Sequence, residues 1–163
     1  MSKTAHIPFR EVPYLPLKLK MDRRPDGTIY LENGQPLKAH PPHMLAPLVK
    51  WAAERPDQIW LAERWPENPA ADDWRRVTYA EGLSAVQRIA AAFLSEGAGQ
   101  DAAVMILSKN SIDNALVMYG AMWASSPVVP VTPAYATLSQ DLLRFGYIDQ
   151  LTTPKFIYVE DGK

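Results

Sequence analysis

No cysteine occurs among the 163 residues, which excludes disulfides, thiolate metal sites and a cysteine nucleophile. That absence accords with a cytoplasmic location, the one expected here. An excess of charge is also missing. Seventeen Lys and Arg stand against 18 Asp and Glu, a formal net charge of -1, so neither nucleic acid nor an anionic membrane is an expected partner. The basic alternation ending at Lys18-Leu-Lys20 does not change this, because residues 1–40 hold only seven Lys and Arg against four Asp and Glu. The opening from Met1 to Pro8 runs into charges and prolines instead of an apolar core, so no secretory signal is expected. Nor is there an uninterrupted apolar run. Residues 114–140 lack Asp, Glu, Lys and Arg over 27 positions, long enough to cross a bilayer. Ser125-Ser126 and prolines at 127, 130 and 133 break that stretch, however, and no transmembrane helix is expected.

Two further features fall short of a site. His40 and His43 are separated by Pro41-Pro42, so one helix cannot carry both, and His6 is distant in sequence. No metal site is expected. Gly97-Ala-Gly99 precedes a strand instead of joining a strand to a helix, which is the wrong order for a phosphate loop.

What the chain does have is an ordinary globular composition, 47% apolar and 21% charged, and length enough for one core. Proline is unevenly spread, with 11 of 15 in residues 1–70. By composition the chain changes near residue 73, from a proline-punctuated part to a regular α/β part. The domain reading is an extended proline-rich segment over 1–42, then a unit over 43–163 with its core at about 103–159.

That core is the clearest feature. Residues 103–107, 127–131 and 155–159 are short, mostly apolar runs without clean alternation, as strands covered on both faces read. Between the first two, Ile112, Ala115, Leu116, Tyr119, Met122 and Trp123 recur at helical spacing. Between the second and third, Leu138, Leu142, Phe145 and Ile148 do so, with Leu151 as a continuation. Alternating strands and helices predict a parallel sheet with right-handed crossovers, its helices starting near 111 and 138. The fold class is therefore α/β, a parallel-sheet core preceded by small antiparallel strands.

Upstream, Asp26-Gly27 is a turn signal, and Thr28–Leu31 leading into Asn33-Gly34 predicts a small hairpin around 28–38. A first helix is expected over 43–54, with Pro47 in its first turn, presenting Met44, Leu48, Trp51 and Ala52 to a core. Residues 59–65 and 74–78 read as an antiparallel pair. Ile59, Leu61 and Val77 are expected to point inward and the charges outward. Trp51, Trp60, Trp65 and Trp74 read as packing between that helix and the hairpin, not as a stacking platform. Thr78-Tyr-Ala-Glu81 is a capping box. It opens a helix expected to bury Leu83, Val86, Ile89, Ala90, Phe93 and Leu94 and to end at Gly97. Thr137 with Gln140 offers a second such box.

In a parallel sheet, ligands are held at the carboxyl edge of the strands. Ser108, Lys109, Asn110 and Ser111 follow the first strand, with Asn110 placed to cap the next helix. Thr132-Pro-Ala-Tyr135 follows the second, a rigid polar turn with Tyr135 as its large side chain. The candidate cleft-edge positions are therefore Ser108, Asn110, Ser111, Thr132 and Tyr135. Simple capping and solvation is the competing reading of the first group.

The order of these features resembles the start of the acyl-adenylate-forming (AMP-binding) enzymes, the group of acyl-CoA synthetases, luciferases and peptide-synthetase adenylation domains. The residues that carry it are Val77-Thr-Tyr-Ala-Glu81, Gly97, Asp101, Ala103–Ile112, Ala121-Met-Trp-Ala124 and Pro127–Tyr135. Leu61-Ala-Glu-Arg64, Trp74-Arg-Arg-Val-Thr-Tyr-Ala-Glu81, Asn110-Ser-Ile112, Val131-Thr-Pro-Ala-Tyr135, Ser139-Gln-Asp141 and the opening Arg24-Pro-Asp-Gly27 with Gln35-Pro-Leu37 are similar to the branch that activates hydroxycinnamic acids such as ferulate, coumarate or caffeate.

The resemblance implies a two-domain ligase that joins a carboxylic acid to AMP, releases pyrophosphate and passes the acyl group to coenzyme A. ATP, Mg2+ and coenzyme A are implied for a complete enzyme, with a small aromatic acid as substrate and the remainder of the ligase chain as partner. The family's Ser/Thr/Gly-rich phosphate loop, adenylate motif, ribose-binding aspartate, hinge and catalytic lysine do not appear in residues 1–163. No catalytic or cofactor-binding residue is therefore carried over, and the chain by itself is expected to be inactive. It is also expected to be marginal, with an open sheet edge, exposed apolar surface and a tendency to self-associate. Ser125-Ser126 departs from the glycine the family often places before the second strand, which puts that turn's geometry in question. The alternatives are a non-catalytic α/β binding module and a ligase of another aromatic or fatty acid.

Overall fold

The computed structural model describes residues 14, 18–64, 74–138 and 141–160. It separates into two units, Met1–His40 and Pro41–Lys163. His6, Trp65, the loop over 66–73, Ser139 and Gln140 lie outside the described residues.

In the first unit, β1 (Leu19–Arg23) pairs antiparallel with β2 (Ile29–Asn33). The hairpin expected around 28–38 is thus displaced toward the N-terminus, and the segment read as extended contains both its strands. The reason is local. Asp26 Oδ1 accepts from Thr28 N at 2.9 Å and Gly27 takes φ 89°, so Asp26-Gly27 makes the turn. Asn33-Gly34 instead closes the open end, where Gly34 N donates to Lys18 O.

In the second unit, α1 (Ala46–Glu54) begins with proline in its first turn and buries Leu48. Met44 precedes that helix and is 71% exposed, contrary to its expected place in the core. β3 (Ile59–Arg64) and β4 (Trp74–Thr78) pair antiparallel, with a register shift between Ile59 and Leu61. That shift turns Trp60 inward in place of Ile59, which is half exposed. Trp60 packs edge-on to Tyr119, with ring centroids 5.2 Å apart, in keeping with the packing reading of the tryptophans.

α2 (Tyr79–Ser95) opens with the full capping box. Thr78 Oγ1 accepts from Glu81 N, and Thr78 N donates to Glu81 Oε2 at 2.9 Å. The helix closes at Gly97, φ 81°, with Ala98 N donating to Phe93 O and Gly97 N to Leu94 O. This is a Schellman motif, for which glycine carries no steric penalty. Lys155 Nζ donates to Gly97 O at 2.9 Å, satisfying another carbonyl at that end. Val86 and Ala90 are buried as expected, whereas Leu94, beside the helix end, is 52% exposed.

β5 (Val104–Leu107), β6 (Val128–Val131) and β7 (Phe156–Val159) form a parallel sheet in the order β6-β5-β7. Between β5 and β6 runs α3 (Ile112–Trp123). It ends in a second Schellman motif in which Ser125, φ 61°, occupies the left-handed position usually given to glycine. The turn geometry is kept and the strain falls on a serine.

Between β6 and β7 lie α4 (Ala134–Thr137) and α5 (Leu143–Thr152). The helix expected from 138 therefore starts five residues later. Thr137 ends α4, donating its hydroxyl to Pro133 O at 3.1 Å, so it cannot cap a following helix. Asp141 Oδ1 accepts from Leu143 N at 3.2 Å and sets the later start.

Two apolar clusters hold the unit together. One joins Leu48, Val86, Ile112 and Leu116 beneath Trp60, Leu61 and Val77. The other joins Val104, Ile106 and Ala121 to Phe93, Phe156 and Tyr158. α2 and α3 touch closely because Gly120 lacks a side chain: a Cβ there would lie 2.4 Å from Ile89 Cγ2.

Candidate functional site

The carboxyl ends of β5, β6 and β7 form one edge of the sheet, and all five candidate positions lie along it. They do not converge. Ser108 is 9% exposed, and its hydroxyl is shared between Lys109 O at 2.9 Å and Glu160 Oε2 at 3.0 Å, tying the end of β5 to the end of β7. Ser111 caps α3, accepting from Asn114 N at 3.0 Å. The sequence assigned that cap to Asn110, which instead stays exposed one residue outside it. Asn110 and Ser111 border a small cavity of about 210 Å³ with Leu61, Ala62, Glu63 and Ile112.

Thr132 and Tyr135 lie apart from these, after β6. Thr132 Oγ1 accepts from Ala134 N at 3.4 Å. Tyr135 borders a cavity of about 500 Å³ with Leu138, Asp141, Leu143 and Arg144. The Arg144 guanidinium lies 5.8 Å from the Tyr135 ring centroid, within cation–π reach.

The strongest interactions at this edge involve residues the sequence reading placed on an exposed side. Glu63 Oε2 accepts from Ile112 N at 2.8 Å, occupying the first amide of α3. Arg75 Nη1 donates to Glu63 Oε1 at 3.1 Å. The same guanidinium holds Asp113 with two bonds of 2.8 and 2.7 Å. This bidentate pair keeps the Asp113 carboxyl below its ordinary pKa, against the opposing effect of burial, and raises Arg75 further. The Tyr158 hydroxyl is pushed up, first by burial and then by the charges of Asp113 and Glu160. One signal for the Glu63–Arg75 link was in the sequence, since opposite charges fall on directly paired positions of β3 and β4. Their reach to α3 was not.

A helix N-terminus at this edge of a parallel sheet is where a phosphate is ordinarily held. At α3 that place is taken by the Glu63 carboxylate, and Arg75 is engaged by two carboxylates. The residues described here do not fit the phosphates of ATP. Among the described residues no cluster of His, Asp and Glu is arranged to hold a metal ion. No helix among them is long and apolar enough to cross a membrane.

An open parallel α/β sheet whose crossover helices begin at one polar edge defines the class of protein. Residues 52–144, more than half of the chain, match the family of AMP-binding enzymes, and the chain belongs to that family. Among curated proteins, none matches it. Solved structures with the same fold include the fatty acid AMP ligase from Legionella pneumophila. It is 18% identical at a TM-score of 0.59, over 69% of this chain and 18% of that one. VinN, solved with L-aspartate, is 18% identical at 0.58, over 70% and 28%. The N-terminal subdomain of Klebsiella oxytoca NpsA is 18% identical at 0.57, over 74% and 28%. The chain thus spans between 18% and 28% of the lengths of these structures.

Proposed function

We propose that the chain supplies the first part of the large domain, residues 43–163, of an ATP-dependent acid–CoA ligase working through an acyl-adenylate. Within that class we assign it to feruloyl-CoA synthase, with ferulate or a related hydroxycinnamate as the acid. The observation that carries the ligase reading is the family match over 52–144, seated on a parallel sheet with its carboxyl edge intact. The finer assignment rests on the sequence details around Leu61–Arg64, Trp74–Glu81 and Val131–Tyr135.

In this reading Ser108, Asn110, Ser111, Thr132 and Tyr135 form the rim of the cleft and none of them performs chemistry. The phosphate-binding and lysine functions come from the rest of the ligase chain, together with the sites for Mg2+ and coenzyme A. Electrostatic stabilisation is usually the largest catalytic contribution, and losing one donor already costs about 3 kcal/mol. The 163-residue chain alone is therefore expected at background in pyrophosphate release from ATP with ferulate, and in thioester formation once CoA is added. Enzyme-dependent feruloyl-CoA from the purified chain, with contaminating ligase excluded, would overturn the division of labour. Reading the gene downstream of Lys163 tests the family role separately. A frame running into a Ser/Thr/Gly-rich loop with Pro-Lys-Gly is the expected outcome.

A further inference from the structure

The chain has four asparagines, and they differ in the amide that follows each. Asn68 precedes Pro69, which has no N–H to give up. Asn114 lies in the first turn of α3, where Ala115 N donates to Ser111 O at 3.2 Å. Asn110 precedes Ser111, whose side chain crowds its own nitrogen. Asn33 alone precedes a glycine. It ends β2, in a two-stranded sheet whose every strand position is exposed. Asn33 Oδ1 accepts from Gln35 N at 3.1 Å, an Asx turn that folds the carboxamide back over the Gly34 peptide. The same hydrogen bond supports the negative charge that oxygen gains when its carbon is attacked. Gly34 N, the nitrogen beside that carbon, donates to Lys18 O at the open end of the hairpin. A two-stranded sheet is marginal in water and its ends fray first, so this bond opens before the rest.

We propose that Asn33-Gly34 is a site of self-modification, where closure of an imide ring converts the asparagine to aspartate and isoaspartate. Gly34 N, released from Lys18 O, gives its proton to solvent base and attacks Asn33 Cγ. The N–Cγ bond forms, the Cγ–Nδ2 bond breaks, and Nδ2 takes up a proton and leaves as ammonia. Water then opens the imide at one carbonyl to give aspartate or at the other to give isoaspartate. Glycine favours the closure because no Cβ hinders its nitrogen and its backbone is free to turn. Asp26-Gly27, at the other end of the hairpin, has the same turn, with Asp26 Oδ1 accepting from Thr28 N at 2.9 Å. Its carboxyl is held below its ordinary pKa, first by that backbone hydrogen bond, and an anion resists attack by an amide nitrogen. The two ends of the hairpin therefore age differently. Isoaspartate adds a methylene to the backbone before Gly34, which moves Gly34 N off Lys18 O, and either product adds a negative charge beside Glu32. The turn at Asp26-Gly27 is left as it is. None of this depends on the ligase reading.

Incubation of the 163-residue chain in mildly alkaline and mildly acidic buffer, followed by peptide mapping in a mass spectrometer, tests this. The mass change of amide to acid is expected at Asn33, about tenfold or more ahead of Asn110 and Asn114, and faster in the alkaline buffer. A carboxyl methyltransferase specific for isoaspartate should label the product. Asn33→Gln, whose extra methylene would demand a larger ring, should leave no label. Asp26→Asn puts a carboxamide into the matching turn and should convert at both ends of the hairpin. Hydrogen exchange reads the consequence: in the converted chain the Gly34 amide should lose protection while the Gly27 amide keeps it. An Asn33 that stays intact would overturn the proposal. So would equal conversion at Asn110 or Asn114, a rate no higher in alkali, or label that persists in Asn33→Gln. An Asp26→Asn chain that converts only at Asn33 would overturn the role given to the turn, and a Gly34 amide still protected after conversion would overturn the loosening of the hairpin.

Discussion

α2 and α5 do similar jobs, each leading the chain toward a strand of the parallel sheet, and their ends are built in opposite ways. α2 starts on a reciprocal Thr78–Glu81 box and stops on a glycine whose left-handed backbone is free of strain. α5 has no side-chain cap at its N-cap residue, Leu142, and is bracketed by two non-glycine residues in the left-handed region, Leu142 at φ 51° and Thr153 at φ 39°. For a β-branched residue such as Thr153 that conformation is a true outlier. The packing differs in the same sense. α2 lies against α1 and α3 with Val86 and Ala90 buried, whereas no residue of α5 is fully buried. Where the ends carry their own signals, the helix is anchored by local chemistry. Where they do not, the helix is left lightly packed and its ends absorb strain.

The sharpest test of that contrast uses one substitution in three places. A Cβ at Gly82 would meet the Trp60 ring at 2.3 Å and one at Gly120 would meet Ile89, but Gly146 of α5 has nothing within 4 Å. Gly82→Ala and Gly120→Ala should each cost about 1–3 kcal/mol through overpacking. Gly146→Ala should instead stabilise by about 0.5–1 kcal/mol, as an unhindered helical Gly→Ala change does. Urea titration reads all three, and a loss at Gly146 would erase the contrast.

Next in size is the cap. Thr78→Ala should lower stability by about 1 kcal/mol, again by urea unfolding, with Thr78→Ser retaining most of it. At the far helix the sign reverses. Thr153→Gly should raise the melting temperature, by relief of about 1 kcal/mol of left-handed strain less the entropy glycine adds to the unfolded chain. Ser125→Gly should act in the same direction at the end of α3. No gain at either position would mean that the surrounding structure does not impose the conformation.

The smallest effect is in acid. Glu81 is held below its ordinary pKa first by the Thr78 backbone hydrogen bond, and Asp113 by Arg75. A depressed carboxylate contributes its stability in full above its unfolded pKa and loses it as pH falls through the lower folded one. Stability should therefore fall below about pH 4. Glu81→Gln and Asp113→Asn should each flatten that slope while leaving α5 unaffected.

How far the fold was legible follows the same division. The three parallel strands, the Thr78 box and the Gly97 stop are local signals, and each lies within a residue of its expected place. The start of α5 was misplaced because Thr137 and Gln140 have the spacing of a cap, while Pro133 and Asp141 decide the backbone there. The site was legible as an edge but not as a set of contacts. Ser108 and Ser111 could be named because strand ends and helix starts meet at that edge. Glu63 and Arg75 could not be placed, because the amide Glu63 holds is 49 residues away and Arg75 reaches Asp113 across 38. Nothing local in either strand announces a partner on α3.

The strand order carries a consequence for time. β5 sits in the middle of its sheet yet is the first of the three strands to be made, and the Ser108–Glu160 bond at its end closes over 52 residues. Long-range parallel pairing is slow to form because loop closure precedes any reward. On a ribosome adding about 5–20 residues per second, the stretch from Ser108 to Glu160 takes roughly 3–10 s to appear. For that interval Val104, Met105 and Ile106, fully buried in the finished sheet, lack β7 on one side. α2, already complete, can shelter one face of the strand through Phe93. Until β7 emerges, that edge of β5 keeps its backbone N–H and C=O groups unpaired, a template for another strand.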